Sequence, residues 1–219
     1  MANQFIYGRR PVAEAERGRR RVHRVWRAPE ASAEELERLC GSPDHQGVVA
    51  EVDPYPYGDA RGMLREGALL VALDQVQDPR NLGAACRSAE FAGAAGVVIP
   101  ERRAAHVTPA VCRASAGAVE HLPVARTRNL ADWLAAAKSE EAWVYGAAVE
   151  GSVPYDRPDY RGRVVLVLGS EGGGLRARVA AACDALVHLP IHGRVGSLNV
   201  SAAAAALVYG MLHVRARRP

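Results

Sequence analysis

From residue 68 onward, short unbroken apolar runs alternate with helical patterns, and this alternation narrows the fold more than any other property of the chain. Residues 68–73 (Ala-Leu-Leu-Val-Ala-Leu) and 164–168 (Val-Val-Leu-Val-Leu) carry no polar residue. A strand with one wet face would alternate, so these runs suit strands covered on both faces, as in a parallel sheet. Further strands are expected at 96–99, 121–124, 142–147 and 185–189. Helical patterns lie between them at 82–94 and 130–138, after the glycine-rich turn to about 182, and at 199–215. The expected class is α/β with a mostly parallel sheet.

The first fifty residues read as a separate, smaller α/β unit. Pro11 opens a short helix to about Arg17, and residues 22–26 alternate like a strand. Ser32 and Glu35 form a capping box ahead of a helix that ends near Cys40, and 47–52 is a second strand. Asp53-Pro54-Tyr55-Pro56-Tyr57-Gly58-Asp59 can continue neither ladder. The expected organisation is a small domain over 1–53, a linker over 54–67 and a larger domain over 68–219.

Charge is informative through its distribution. The 219 residues carry a net charge of only +4. Between residues 9 and 27, however, eight arginines face two acids, a net of +6, and residues 28–65 reverse this to −5. Such a local basic stretch (Arg9, Arg10, Arg19, Arg20, Arg21 and Arg24 among it) reads either as a phosphate-contacting face or as a solvated surface. Cys40, Cys86, Cys112 and Cys183 form no C-x-x-C pair, which excludes a zinc ribbon and a dithiol redox motif; no metal is expected. Unpaired cysteines suit a reducing compartment, hence the cytoplasm. Residues 1–4 lack the charged and apolar start of a signal peptide. The apolar stretch 198–214, interrupted by Asn199, Ser201, Gly210 and His213, reads as a buried helix, so no membrane partner is expected.

Three segments could carry chemistry. Gly169-Ser170-Glu171-Gly172-Gly173-Gly174 follows the most β-like run but lacks the Gly-Lys-Ser/Thr ending of a phosphate loop, and Glu171 stands where a dinucleotide fingerprint needs its second glycine. It is either a tight helix entry or a site for a cationic ligand without phosphate, such as a sulfonium. In the second segment, Asn81 sits in the first turn of a helix after Asp78-Pro79, and Arg87 lies within an otherwise small, apolar helix. That arginine either snorkels to water or holds an anion. The third, residues 189–201, runs from a strand end through Gly193 and Gly196 into an alanine-rich helix. Its bare backbone, with Ser197 and Asn199, could read an adenine ring or could be a polar helix N-terminus.

Together these segments resemble the SpoU (TrmH) family of RNA ribose 2′-O-methyltransferases, within the SPOUT superfamily. Asn81, Gly83 and Arg87 match its N-x-G-x-x-x-R start, and 168–174 matches L-G-x-E-G-x-G. Pro190, Gly193 and the run Ser197-Leu198-Asn199-Val200-Ser201 match P-x-x-G-x-x-x-S-L-N-V-S. The resemblance covers about residues 68–215. The N-terminal part resembles the family's small ribosomal-protein-like RNA-binding domain, shortened between Trp26 and Ser42.

The resemblance implies a deep trefoil knot at the C-terminus and S-adenosylmethionine bound by Gly169, Leu189, Ile191, Gly193, Ser197 and Leu198. It implies a catalytic set of Arg87, Asn81, Glu171, Ser197 and Asn199, and a homodimer through the last helix. A guanidinium stays protonated, so the role implied for Arg87 is to clamp a phosphate and orient the ribose hydroxyl. The subgroup resembled acts on a guanosine of 23S rRNA. A tRNA substrate is the alternative, and a non-catalytic ribosome-assembly factor is a different class, disfavoured by the intact Asn81, Glu171 and Asn199. A nucleotide-dependent dehydrogenase is disfavoured by the missing fingerprint.

Overall fold

A computed structural model describes residues 3–217. Its main body is a seven-stranded sheet built from β4 (Leu69–Leu73), β5 (Gly96–Pro100), β6 (Val124–Thr127), β7 (Ala142–Ala147), β8 (Val153–Pro154), β9 (Arg163–Leu168) and β10 (Ala185–His188). The strand order is β6-β5-β4-β9-β7-β10-β8, and every neighbouring pair is parallel. The expected parallel sheet is therefore present, with β4 and β9 at its centre.

Strand periodicity sends alternate residues to opposite faces. Leu69, Val71 and Leu73 of β4 join one core cluster, with Leu82 and Ala85 of α3 (Pro79–Phe91) and Leu207 and Val208 of α7 (Val200–Arg217). Leu70 and Ala72 join the other, with Leu130 and Leu134 of α5 (Leu130–Ser139) and Val179 of α6 (Ala177–Ala182). Both faces are covered, as the unbroken apolar runs require.

A second, antiparallel sheet of order β1-β3-β2 comprises β1 (Gln4–Tyr7), β2 (Val22–Arg27) and β3 (Val48–Val52). On one face lies α1 (Arg9–Arg17), whose Val12 and Ala15 share the first core cluster with β4 and α3. On the other lies α2 (Ala33–Cys40), where Leu36 packs with Val49 and Trp26. Ser32 caps α2 as expected, accepting from the Glu35 amide at 3.2 Å. Residues 54–67 form no regular element but are packed: Tyr55, Ala60, Met63 and Leu64 are buried. The prolines stop a ladder here, while Tyr55 joins the cluster shared by the two sheets and Ala60, Met63 and Leu64 pack on the opposite face of the large sheet.

Several elements depart from expectation. The strand expected at 121–124 lies three residues on, at Val124–Thr127, because residues 118–120 close a 3₁₀ turn whose Ala118 carbonyl accepts from His121 and Leu122. The helix expected from residue 82 begins at Pro79: Asp78 accepts from the Arg80 amide at 2.8 Å, and a proline costs nothing at the first helical position. β1 and α4 (Pro109–Ala114) are additional. Both are too short to show a period.

Candidate functional site

All strands of the large sheet run the same way, so the loops that follow them gather at one edge, where α/β folds place their ligands. Three of these loops meet. The loop after β9 is closed on itself by Ser170 and Gly174, which exchange backbone hydrogen bonds of 3.1 and 3.0 Å. Gly169 must be glycine, because a Cβ there would lie 2.0 Å from the Gly174 carbonyl carbon. Glu171 is thereby held at the tip.

Glu171 meets two helix N-termini. Its Oε1 accepts from Asn81 Nδ2 at 3.1 Å, in the first turn of α3, and from Asn199 Nδ2 ahead of α7. Asn199 Nδ2 also donates to Asn81 Oδ1 at 3.0 Å, closing the triangle. Asn199 Oδ1 caps α7, accepting from the Ser201 amide at 2.9 Å and its hydroxyl at 2.6 Å. A carboxylate between two helix N-termini, with two amide donors, is electrostatically favoured. Glu171 therefore occupies the place a ligand phosphate would take in a nucleotide loop.

One clamp here was not expected from the sequence. Asp74, fully buried, accepts from the Arg176 amide at 3.0 Å and from its guanidinium Nε at 2.8 Å and Nη2 at 2.6 Å. It ties the far end of the glycine-rich loop to the end of β4. The only sequence signal was an acid placed directly after an apolar strand.

Beside the triangle opens a cleft of about 1130 Å³. Leu168, Val187 and Leu207 line it with Gly169, Leu189, Ile191, Gly193, Ser197 and Leu198, so all six residues expected at the cofactor border one space. Glu171 and Asn199 line it too. Among the described residues, the backbone of 191–198 makes no hydrogen bond within the chain. Ile191, Val195 and Leu198 are exposed there. Gly193 and Gly196 have no neighbour that a Cβ would meet within 4 Å, so no contact within the chain demands glycine at either position.

The remaining expected residues fall outside the triangle. Ser197 is exposed on the cleft wall without a hydrogen bond, and Arg87 is exposed on α3 without an ion pair or hydrogen bond. At about 100° per residue, Arg87 lies about 240° around α3 from Asn81. Gly83, between them, admits α4: a Cβ there would sit 2.5 Å from that of Ala114.

The basic stretch divides. Arg20 is a correction. It is buried against Glu120, and all five of its N–H donors have acceptors within the chain: both Glu120 oxygens, Cys112 Sγ, Gln4 Oε1 and the Asp53 carbonyl. None is left for a phosphate. Burial alone would lower the Arg20 pKa, but the Glu120 hydrogen bond and charge outweigh it and leave it raised. Arg19 donates to the carbonyls of Glu120 and Leu122 and to the Tyr55 hydroxyl, and Arg9 donates to the Gln46 carbonyl at 3.3 Å. Arg10 and Arg21 are exposed without side-chain partners, and Arg24 lies over the Trp26 ring at 4.7 Å. Among the described residues no cluster of three or more His, Cys, Asp or Glu could hold a metal, and no helix is long and apolar enough to cross a membrane.

Comparison with known proteins extends this geometry. Residues 68–209 match the SpoU rRNA Methylase family, and residues 27–58 match the family RNA 2′-O ribose methyltransferase substrate binding. The chain is 34% identical to YacO of Bacillus subtilis, assigned to the TrmH family of tRNA/rRNA methyltransferases, over 97% of this chain and 96% of that one. In structure it is similar to the SpoU methyltransferase AviRb from Streptomyces viridochromogenes in complex with the cofactor AdoMet (TM-score 0.81, 28% identity, 99% and 91% of the two chains). It is also similar to an AdoMet-bound rRNA methyltransferase from Sinorhizobium meliloti (TM-score 0.84, 25% identity, 99% and 88%).

Proposed function

The chain belongs to the SpoU rRNA methylase family, and from that premise we propose that it is an S-adenosylmethionine-dependent RNA methyltransferase acting on a ribose 2′-hydroxyl. The observation that carries this reading is the convergence of three motifs, up to 118 residues apart in sequence, on the Asn81–Glu171–Asn199 triangle at the rim of the cleft. The ribosomal choice rests on the family being one of rRNA methylases and on the subgroup that the N-terminal region resembles. A guanosine of 23S rRNA is the target implied by the resemblance of that region, and a relative assigned to tRNA/rRNA methylation keeps tRNA as the alternative. All four cysteines are free, as suits a protein of the reducing cytoplasm.

The cleft fits S-adenosylmethionine. Its apolar floor suits an adenine ring, and the unpaired backbone of 191–198 offers N–H and C=O groups to the ring edge. Gly193 and Gly196 leave that backbone approachable. Glu171 suits a cationic sulfonium and disfavours a pyrophosphate. Gly169, Leu189, Ile191, Gly193, Ser197 and Leu198 would hold the cofactor, which supplies an electrophilic methyl group when bound. The path of the chain supports the implied knot, since residues 189–199 run beside the 169–176 loop before α7 returns to pack on α3.

The ribose hydroxyl would need to be aligned with the donor's methyl carbon, and its proton would pass to solvent water as the O–C bond forms and the methyl's bond to sulfur breaks. Arg87 clamps the neighbouring phosphate bidentately, and Asn81, Glu171, Ser197 and Asn199 order the polar rim around the ribose. Arg87 is turned away from its own triangle, which suits a site shaped by two subunits. The exposed Ala202, Ala206 and Tyr209 of α7 supply the close-packing face for that homodimer. Arg87→Ala is expected to lower methyl transfer to bacterial 23S rRNA by at least about 10²-fold while leaving S-adenosylmethionine affinity, read by calorimetry, nearly unchanged. Comparable turnover by the variant would remove Arg87 from the mechanism.

A further inference from the structure

We propose that the substrate RNA is held by a second basic surface, formed by Arg102, Arg103 and Arg128 on the site-bearing edge of the large sheet. This rests on the RNA methyltransferase reading and extends it from the reacting nucleotide to the strand that carries it. Arg102 and Arg103 follow β5 and Arg128 follows β6. All three are exposed, and none makes a hydrogen bond, ion pair or ring contact among the described residues. In the N-terminal stretch Arg10, Arg21 and Arg24 are the arginines exposed without an acid or carbonyl partner. There Arg20 is buried with Glu120, Arg19 serves backbone carbonyls, Arg17 faces Glu14 and Arg27 Nη2 donates to both Glu16 oxygens. An arginine without an acid partner keeps its full attraction for a polyanion.

The loop that presents Arg102 and Arg103 is fastened at several points. Glu101 N donates to the Thr127 carbonyl at 2.9 Å, Ala105 N to the Val76 carbonyl at 2.8 Å and Val107 N to the Tyr57 hydroxyl at 2.9 Å. His106 Nε2 lies 3.0 Å from the Glu101 carbonyl. Arg103 itself has φ of 57°, an unfavourable value for a residue with a Cβ, held by those bonds on either side. A platform ordered in advance spares binding the entropy of ordering a loop.

The order of strands aims this platform at the site. Along β6-β5-β4-β9 the edge presents Arg128, then Arg102 and Arg103, then Asn81 in the helix after β4, then Glu171. Neighbouring strands lie about 4.8 Å apart, so the row spans about 14 Å, the length of a short stretch of RNA backbone. Ala105 touches Val76, in the loop that leads into α3 and Asn81. An RNA strand laid along this edge would put successive phosphates on the arginines and one ribose at the triangle.

The test compares the full chain with an Arg102→Ala/Arg103→Ala/Arg128→Ala variant, using a short fluorescein-labelled oligouridylate as probe between about 50 and 200 mM salt. Each phosphate contact on single-stranded RNA contributes about 0.7 to the slope of log affinity against log salt. Loss of three contacts should flatten the slope by about 2, with S-adenosylmethionine affinity unchanged. An unchanged slope overturns the proposal. So does binding of a polyglutamate peptide as tight as the oligouridylate and equally lost in the variant, which would assign the surface to an acidic protein. Methyl transfer by the unaltered protein is scored separately. Its failure would sink the enzymatic reading, while the salt slope would still decide whether this edge binds RNA.

Discussion

Two clusters join distant parts of this chain, and they treat charge in opposite ways. At the junction of the two sheets, Arg20 and Glu120 are sealed from water, and every guanidinium donor has an acceptor inside the protein. At the cleft, Asn81, Glu171 and Asn199 are bonded to one another but stand at the surface beside an apolar space. The first cluster is complete in itself. The second leaves one Asn81 amide hydrogen and the second Glu171 oxygen without a partner among the described residues, where a ligand can meet them. Charge enclosed and fully partnered holds a fold together, whereas charge that is ordered and accessible is available for chemistry.

The contrast can be broken most directly at the junction. Glu120→Ala leaves a buried cation unpaired and is expected to cost about 3–5 kcal/mol in urea denaturation. Replacing both partners by apolar residues (Arg20→Met with Glu120→Leu) should recover most of that loss. A Glu120→Ala cost below about 1 kcal/mol would show that water reaches the pair.

Within the first pH unit above 9, a smaller effect comes from the thiols next to the junction. Burial pushes Cys86 and Cys112 from the ordinary 9.0 up to about 12. The unfolded thiols ionise from about pH 9 and the folded ones do not, so their stabilising contribution is present below that pH. It is lost as pH rises from about 9 towards 12, by about 1.4 kcal/mol per thiol per pH unit. A melting temperature that stays level across this window in the wild type, or that falls equally in a Cys86→Ala/Cys112→Ala variant, would contradict this assignment.

The smallest change in stability is expected at the cleft. Glu171→Gln should shift unfolding by less than about 1 kcal/mol, while methyl transfer to 23S rRNA drops. A loss matching that of Glu120→Ala would erase the distinction between the two clusters.

Local chemistry explains what could be read in advance. The unbroken runs at β4 and β9 announced strands covered on both faces, Ser32 announced the cap of α2, and the family motifs named Asn81, Glu171 and Asn199 before any contact was known. The arginine stretch misled at Arg20 because composition counts charges without their partners, and Glu120 lies 100 residues away. The strand expected at 121–124 begins only at Val124, because a 3₁₀ turn claims the amides of His121 and Leu122. Asp74 gave no sign of its partner Arg176, which depends on where the glycine-rich loop lands.

The amino-acid order by itself therefore determined the parallel α/β class, the Ser32 cap of α2 and the residue types of the site, because these follow from periodicity and near-neighbour hydrogen bonding. Tertiary structure alone decided which arginines are spent inside the protein and which remain at the surface. It also decided which asparagines share Glu171 and that the 54–67 segment is packed against both core clusters. Those outcomes depend on pairings across tens to hundreds of residues, whose energies are realised only when folding brings both partners out of water.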